Sequence, residues 1–86
     1  MIYVDAAKWT KASVKSPRQR YAHLVANSLD ELHAFAESIG VKRHFFHNTP
    51  SMPHYDITEV QRELALRNST IDANTRELIK IAKLCS

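Results

Sequence analysis

Residues 21–40 read YAHLVANSLDELHAFAESIG, and this stretch predicts a strand followed directly by a helix. Residues 21–26 alternate as a β-strand does, with successive side chains on opposite faces. Ser28 and Glu31 have the spacing of a capping box, in which the two side chains bond backbone amides of the first helical turn. Apolar residues then recur at helical spacing until Gly40, which supplies a left-handed helix end. The rest of the fold extends outward from this strand and helix.

Further strands and helices are predicted on both sides of this unit. Residues 2–4 form a strand before it, and residues 41–47 form a third strand after the helix. The succession of strand, helix and strand favours a parallel right-handed crossover. A second helix begins at Asp56 or Thr58, and a third is capped by Asp72. The predicted fold class is α+β, or a small α/β fold, with a short three- to four-stranded sheet, at least one parallel pair and about three helices.

Length and composition predict one small domain. The chain has 86 residues, of which 44% are hydrophobic and 24% charged, close to globular averages. Its single cysteine, Cys85, allows neither a disulfide within the chain nor a cysteine-based zinc motif. Gly40 is the only glycine, which excludes a phosphate-binding P-loop. No apolar run approaches 18 residues, so we expect a cytoplasmic protein without a membrane partner.

Positive charge is concentrated in one predicted loop, residues 8–20. Five cations and Asp5 give the first 20 residues a net charge of +4, against +3 for the whole chain. A long loop without an apolar period is usually functional or disordered. Cations attract phosphate groups, whereas the alternative interpretation is a solvated loop that only favours solubility. We assign Arg18 and Arg20 to the phosphate of a ligand.

Five histidines in so short a chain are the second unusual feature. His54 and Asp56 are two residues apart in an extended segment, so they point to the same face. His33 lies at the border of the apolar stripe of the first helix. Structural roles compete with functional ones: Asp56 could cap a helix, and His23 and His33 could be satisfied by backbone groups. Imidazoles and carboxylates could also bind a metal, but their spacing selects no site. We therefore predict neither a metal nor a cofactor.

The predicted strand order brings several polar residues together. If the first three strands are neighbours, Asp5 and His47 lie at the edge where open α/β sheets bind ligands. Histidines suit a phosphodiester there, because one imidazole takes a proton from the attacking hydroxyl and another protonates the leaving oxygen. Aromatic side chains could stack on a base. The candidate catalytic residues are His54, His33 and His23. The candidate ligand-binding residues are Asp5, Trp9, Arg18, Arg20, His47, Tyr55 and Asp56.

Short motifs along most of the chain resemble one family. They are MIYVD at the start, AHL at 22–24, ELHAFA at 31–36 followed by Ile39 and Gly40, the pair Phe46 and His47, and above all HYD at 54–56. In this order they are similar to small bacterial and phage proteins, the domain-of-unknown-function family 4031. The resemblance implies a bacterial or phage cytoplasm, and it implies no reaction. Two departures are Ala6, where the family pattern has a second acidic residue, and a more lysine-rich final segment. The first argues against a metal site on paired carboxylates there.

We therefore predict a protein that binds a phosphate-containing small ligand, such as a nucleotide or a cyclic oligonucleotide signal, in a histidine-rich polar cleft. Cleavage of that ligand is left open, and it would make the protein a metal-independent phosphodiesterase-type hydrolase. In a phage, this activity would counter a host defence. One alternative is a small interaction protein that docks on a host or phage protein, with structural histidines. The other is a weak nucleic-acid binder, although no recognition helix is evident. A second copy of the chain could complete the site.

Overall fold

A computed structural model describes residues 1–9, 20–50 and 52–83, with only the backbone of Trp9. In these residues, six strands form one sheet and three α-helices pack against it. The strands are β1 (Ile2–Val4), β2 (Lys8–Trp9), β3 (Arg20–Ala26), β4 (Phe46–His47), β5 (His54–Thr58) and β6 (Ile71–Asp72). The helices are α1 (Leu29–Ser38), α2 (Glu59–Arg67) and α3 (Thr75–Ala82), and a single 3₁₀ turn covers Arg43–Phe45.

The sheet is mixed. Its strand order is β4-β5-β3-β1-β6, and β2 pairs with β3 as well. Strand β3 pairs antiparallel with β1, β2 and β5, while β5 pairs antiparallel with β4. Strands β1 and β6 are parallel. The α+β class and the parallel pair are thus confirmed, and the sheet has more strands than the three or four predicted.

One neighbour of the central strand, β1, is as predicted, and the other differs. Strand β5 lies between β3 and β4, so the two strands that flank α1 run in the same direction without touching. The parallel partner of β1 is β6, a two-residue edge strand whose sequence carries no strand signal. The predicted strand at 41–47 contains a 3₁₀ turn at Arg43–Phe45, and only Phe46 and His47 pair with β5. Short edge strands like these depend on their neighbours rather than on local propensity.

The ends of the predicted basic loop are strands. Lys8 and Trp9 pair with Tyr21 and Arg20, which shortens the loop at both ends. Residues 10–19, including Arg18, lie outside the described residues, as does Cys85.

Helix caps follow the sequence closely. The Ser28 hydroxyl accepts the Glu31 amide as predicted, but the Glu31 carboxylate pairs with the N-terminal ammonium instead of the cap amide. Thr58 caps α2, and Gln61 completes its capping box. Helix α3 is capped by Asn74 rather than by Asp72, because Asp72 belongs to β6.

The two faces of the sheet are covered unequally. Helices α1 and α2 pack on the face that carries Leu24, Tyr55 and Ile57 and bury it completely. Helix α3 covers only part of the opposite face, where Val25 contacts Leu78 and other apolar side chains. The uncovered part of that face, over β3, β5 and β4, holds polar residues.

Replacing Val25 with alanine tests the packing under α3. Val25 is fully buried, so losing two methyl groups and leaving a cavity should lower the free energy of unfolding by about 2–3 kcal/mol. The matched control is Val60→Ala, at a site 70% exposed, where we expect a change within about 0.5 kcal/mol. Urea unfolding followed by circular dichroism measures both, and equal losses would contradict the packing described for α3.

Candidate functional site

Strand register and hydrogen bonding place five polar residues at or beside the uncovered part of the sheet. His23 lies opposite Asp56, and His47 lies opposite His54. Asp5 follows β1 and donates its amide to the carbonyl of His23. Because side chains alternate along each strand, these residues share one face. We call Asp5, His23, His47, His54 and Asp56 the histidine patch.

Asp5 anchors one side of the histidine patch. Its side chain is 1% exposed. Oδ1 accepts the His23 amide at 2.7 Å, and Oδ2 accepts His23 Nδ1–H at 2.7 Å and the Thr75 hydroxyl at 2.6 Å. A carboxylate only accepts, so His23 carries a proton on Nδ1 and its Nε2 is left available. Asp5 therefore fixes both the orientation of this imidazole and its tautomer.

Asp56 joins the other two imidazoles. One carboxylate oxygen lies 2.9 Å from His47 Nε2, and the other lies 3.3 Å from His54 Nε2. His54 Nδ1 donates to the carbonyl of Met52 at 2.6 Å, which directs Nε2 toward Asp56. The ring of His54 stacks on His47 and meets His23 edge to face, with centroids 5.1 and 5.0 Å apart. Among the three imidazoles, the exposed fraction of the side chain rises from 12% for His54 to 51% for His47.

These contacts shift the ionisation of the patch. Burial alone would raise the pKa of Asp5, but hydrogen bonds from His23 and Thr75 outweigh burial and lower it. Burial would also raise the pKa of Asp56, but the hydrogen bond to His54 and the charges of the nearby histidines outweigh burial and lower it. For His54, burial would lower the pKa, but Asp56 and the Met52 carbonyl raise it. The carboxylates are thus held in their ionised form beside the imidazoles.

His33 and Tyr55 lie on the opposite side of the sheet. The His33 Nδ1 atom is 2.8 Å from the hydroxyl of Tyr55, whose side chain points away from its strand neighbours His54 and Asp56. Burial and the cation of Arg43 lower the pKa of His33. Both residues line a cleft of about 700 Å³. The structure thus brings together His23, His54 and His47 but not His33.

The remaining predicted site residues are not part of the patch. The Arg20 guanidinium pairs with Glu59 at 2.7 Å and donates to the carbonyl of Ala7 at 3.1 Å, on the face opposite His23. Only the backbone of Trp9 is described, and Arg18 lies outside the described residues. Asp5 and His47 do not share a strand-end edge, because β1 and β4 run in opposite directions in this mixed sheet and their ends point to opposite edges.

Sequence reasoning missed two groups that support the patch. Thr75, the first residue of α3, reaches Asp5 across 70 positions of sequence. Arg62 of α2 donates its Nε–H to the carbonyl of Asp5 at 2.8 Å and pairs with Asp72 at 3.1 Å. Neither residue stands in a recognisable motif, and only the packing of α2 and α3 around the end of β1 reveals their roles.

A metal ligand set is also present. One donor atom each from His23, His54 and Asp56 lie within 4.8 Å of one another. All three residues are partly exposed, so the set is open to solvent. Sequence spacing selected His54 and Asp56 as a pair but could not supply His23, which comes from a different strand.

The fold and the patch define a small α+β protein with a cluster of carboxylate-oriented histidines on an open sheet face. The chain belongs to the family described as protein of unknown function (DUF4031), which it matches over residues 2–84. This confirms the resemblance drawn from the short motifs. No curated protein and no solved structure matched the chain. None of the three described helices has the length and apolarity needed to span a bilayer.

Replacing Asp5 with asparagine should destabilise the protein. The amide group would present a donor to His23 or Thr75, both of which now donate to the carboxylate, and we expect a loss of about 2–3 kcal/mol. The control is Asp72→Asn, because Asp72 is 61% exposed and its surface ion pair contributes less than about 1 kcal/mol. Urea unfolding at pH 7 compares the two variants. Similar losses would show that Asp5 is no more important than a surface carboxylate.

The advantage of wild type over Asp5→Asn should also depend on pH. Because folding lowers the pKa of Asp5, its contribution is complete above the unfolded pKa of about 3.9. The contribution is lost as pH falls through the lower folded-state pKa. The difference between the two proteins should therefore be constant near neutral pH and shrink below about pH 5. A difference that grew on acidification would contradict the sign of this pKa shift.

Proposed function

We propose that this protein binds a phosphate-containing small ligand, of the nucleotide class, on the histidine patch and hydrolyses a phosphodiester bond in it. The pairing of buried Asp5 with His23 Nδ1–H carries the proposal. A buried carboxylate on Nδ1 holds a histidine in the tautomer whose Nε2 is basic, the arrangement that makes imidazole a general base. His47 and His54 supply further imidazoles on the same face.

Two of the three imidazoles have separate parts in this reaction. Water attacks phosphorus, and its proton passes to His23 Nε2 as the new P–O bond forms. The P–O bond to the leaving group breaks, and the leaving oxygen takes a proton from His47. Because the side chains of His47 and His23 are 51% and 35% exposed, solvent can restore the proton on His47 and remove the one on His23. Asp56 positions His47 and His54 during these steps.

The position of the histidine patch on the sheet supports the proposed binding of an anionic ligand. The side chains of His23, His47 and Asp56 are 35%, 51% and 34% exposed, so a ligand reaches them without displacing a helix. Strand β3 begins at Arg20, directly after the lysine- and arginine-containing segment 10–19 of the sequence. Cations that directly precede β3 in the sequence favour an anionic ligand over a neutral one.

The proposal is tested by incubating the purified protein with nucleotides, cyclic dinucleotides and ADP-ribose derivatives. The filtrate and the heat-released bound fraction are then analysed by chromatography. We expect a hydrolysed product from at least one compound. His23→Gln and His47→Gln should each lower its rate by about 100-fold or more, the usual value of one acid or base group. The matched control, His44→Gln, changes an exposed histidine of the 3₁₀ turn and should retain the wild-type rate.

Three results would decide against the proposal in different ways. A ligand released intact on heating would make this a sequestering protein and remove the hydrolytic step. Loss of activity in His33→Gln but not in His23→Gln would move the site to the cleft on the opposite face. Compounds that all pass through unbound would leave the interaction-protein alternative, which a pull-down from host lysate addresses.

A further inference from the structure

We propose that His23, His54 and Asp56 bind a divalent transition-metal ion of the kind that imidazole favours, such as Zn²⁺. Two imidazoles and one carboxylate are a ligand set found in catalytic zinc and non-haem iron sites. Their donor atoms all lie within 4.8 Å of one another. The three residues come from two paired strands, β3 and β5, so the sheet holds them in place without an ion.

The spacing of one donor pair matches coordination to one ion. Two donors about 2.0–2.1 Å from a tetrahedral zinc lie about 3.3 Å apart. His54 Nε2 and Asp56 Oδ1 are 3.3 Å apart. The direct hydrogen bond that would otherwise explain their approach is long for an ionised pair, since such bonds are usually about 2.7–2.9 Å. An ion bound between the two atoms would fit this separation.

The hydrogen-bond acceptors of the two ligand histidines provide the second observation. A histidine that binds metal through one ring nitrogen usually donates its other N–H to a carboxylate or a backbone carbonyl. His23 donates Nδ1–H to Asp5, and His54 donates Nδ1–H to the carbonyl of Met52. In both rings the nitrogen left for the ion is Nε2. Asp56 keeps its second oxygen for His47. Because both histidines have such an acceptor, they are oriented as metal-binding histidines usually are.

The site has an open coordination position beside an imidazole that is not one of its ligands. Structural zinc sites have four protein ligands, whereas catalytic sites keep one position for water or substrate. Here three protein ligands leave such a position, and the exposed His47 lies beside it. The inference rests on the proposed function only for what fills that position, a water and then a phosphate oxygen. With an ion bound, Nε2 of His23 is occupied. The attacking water would then be activated by the ion, as zinc does, and would lose its proton to solvent, while His47 keeps its role toward the leaving oxygen.

Metal binding is measured first without any substrate. The purified chain, freed of metal by a chelator, is titrated with Co²⁺ followed by visible absorption, and with Zn²⁺ in a calorimeter. We expect one ion per chain and Co²⁺ bands of low-symmetry nitrogen and oxygen coordination. His54→Ala and Asp56→Asn should abolish saturable binding. His44→Ala and His33→Ala, which change histidines outside the patch, should bind like wild type.

A further variant tests the supporting groups. Asp5→Asn leaves all three ligands in place but loses the carboxylate behind His23, so its affinity should fall about 10–100-fold. Circular dichroism of each variant shows whether it is folded. If His54→Ala is unfolded, Asp56→Asn provides the same test, because it preserves the shape of the side chain. Wild type that binds neither ion, or binding unchanged in a folded ligand variant, overturns the inference.

The outcomes separate this inference from the proposed function. Saturable metal binding without hydrolysis of any compound would keep the metal site and remove the hydrolase. Hydrolysis that continues at the full rate in excess chelator, with no ion retained, would keep the hydrolase and remove the metal. Hydrolysis that is lost in chelator and restored by Zn²⁺ supports both.

Discussion

The buried carboxylate of Asp5 is the contact on which the rest of the structure depends. Its oxygens accept from the backbone and ring of His23 and from Thr75, and its own carbonyl accepts from Arg62. One residue thus ties the end of β1 to β3, α2 and α3. Burying an ionised carboxylate is costly unless its hydrogen bonds are satisfied, so these donors must be correctly placed for the fold to form. The same requirement orients the imidazole at the centre of the candidate site.

Register connects this contact with the rest of the histidine patch. Asp5, His23 and Asp56 occupy one row across three strands, and His54 and His47 occupy the next row on the same face. The intervening row carries Leu24, Tyr55 and Phe46 to the opposite face, where α1 covers them. A slip of one residue would exchange these sets, burying the charged groups and exposing the core. The apolar core therefore fixes the position of every group in the patch.

Local features of this fold could be predicted from the sequence, and long-range ones could not. The caps at Ser28 and Thr58 and the end at Gly40 follow from neighbouring residues, and the structure has all three. The common face of His54 and Asp56 follows from strand alternation. The pairing of His23 with Asp56 does not, because it depends on β5 lying between β3 and β4. Antiparallel insertion of a later strand leaves no periodic signal, so the predicted pairing of β3 with the strand at 41–47 was wrong, whereas its pairing with β1 is confirmed.

The site residues show the same division. Helical spacing placed His33 at the border of α1, which is where it lies, but a border position does not reveal which face of a sheet the helix covers. Strand β4, which carries His47, is only two residues long. His23, His54 and Asp56 lie on the longer strands β3 and β5, whose opposite face is covered by α1 and α2. The patch therefore has an inner part on well-paired strands and an outer edge held by few backbone pairs, and edges of that kind open locally at a lower cost in free energy than a core does.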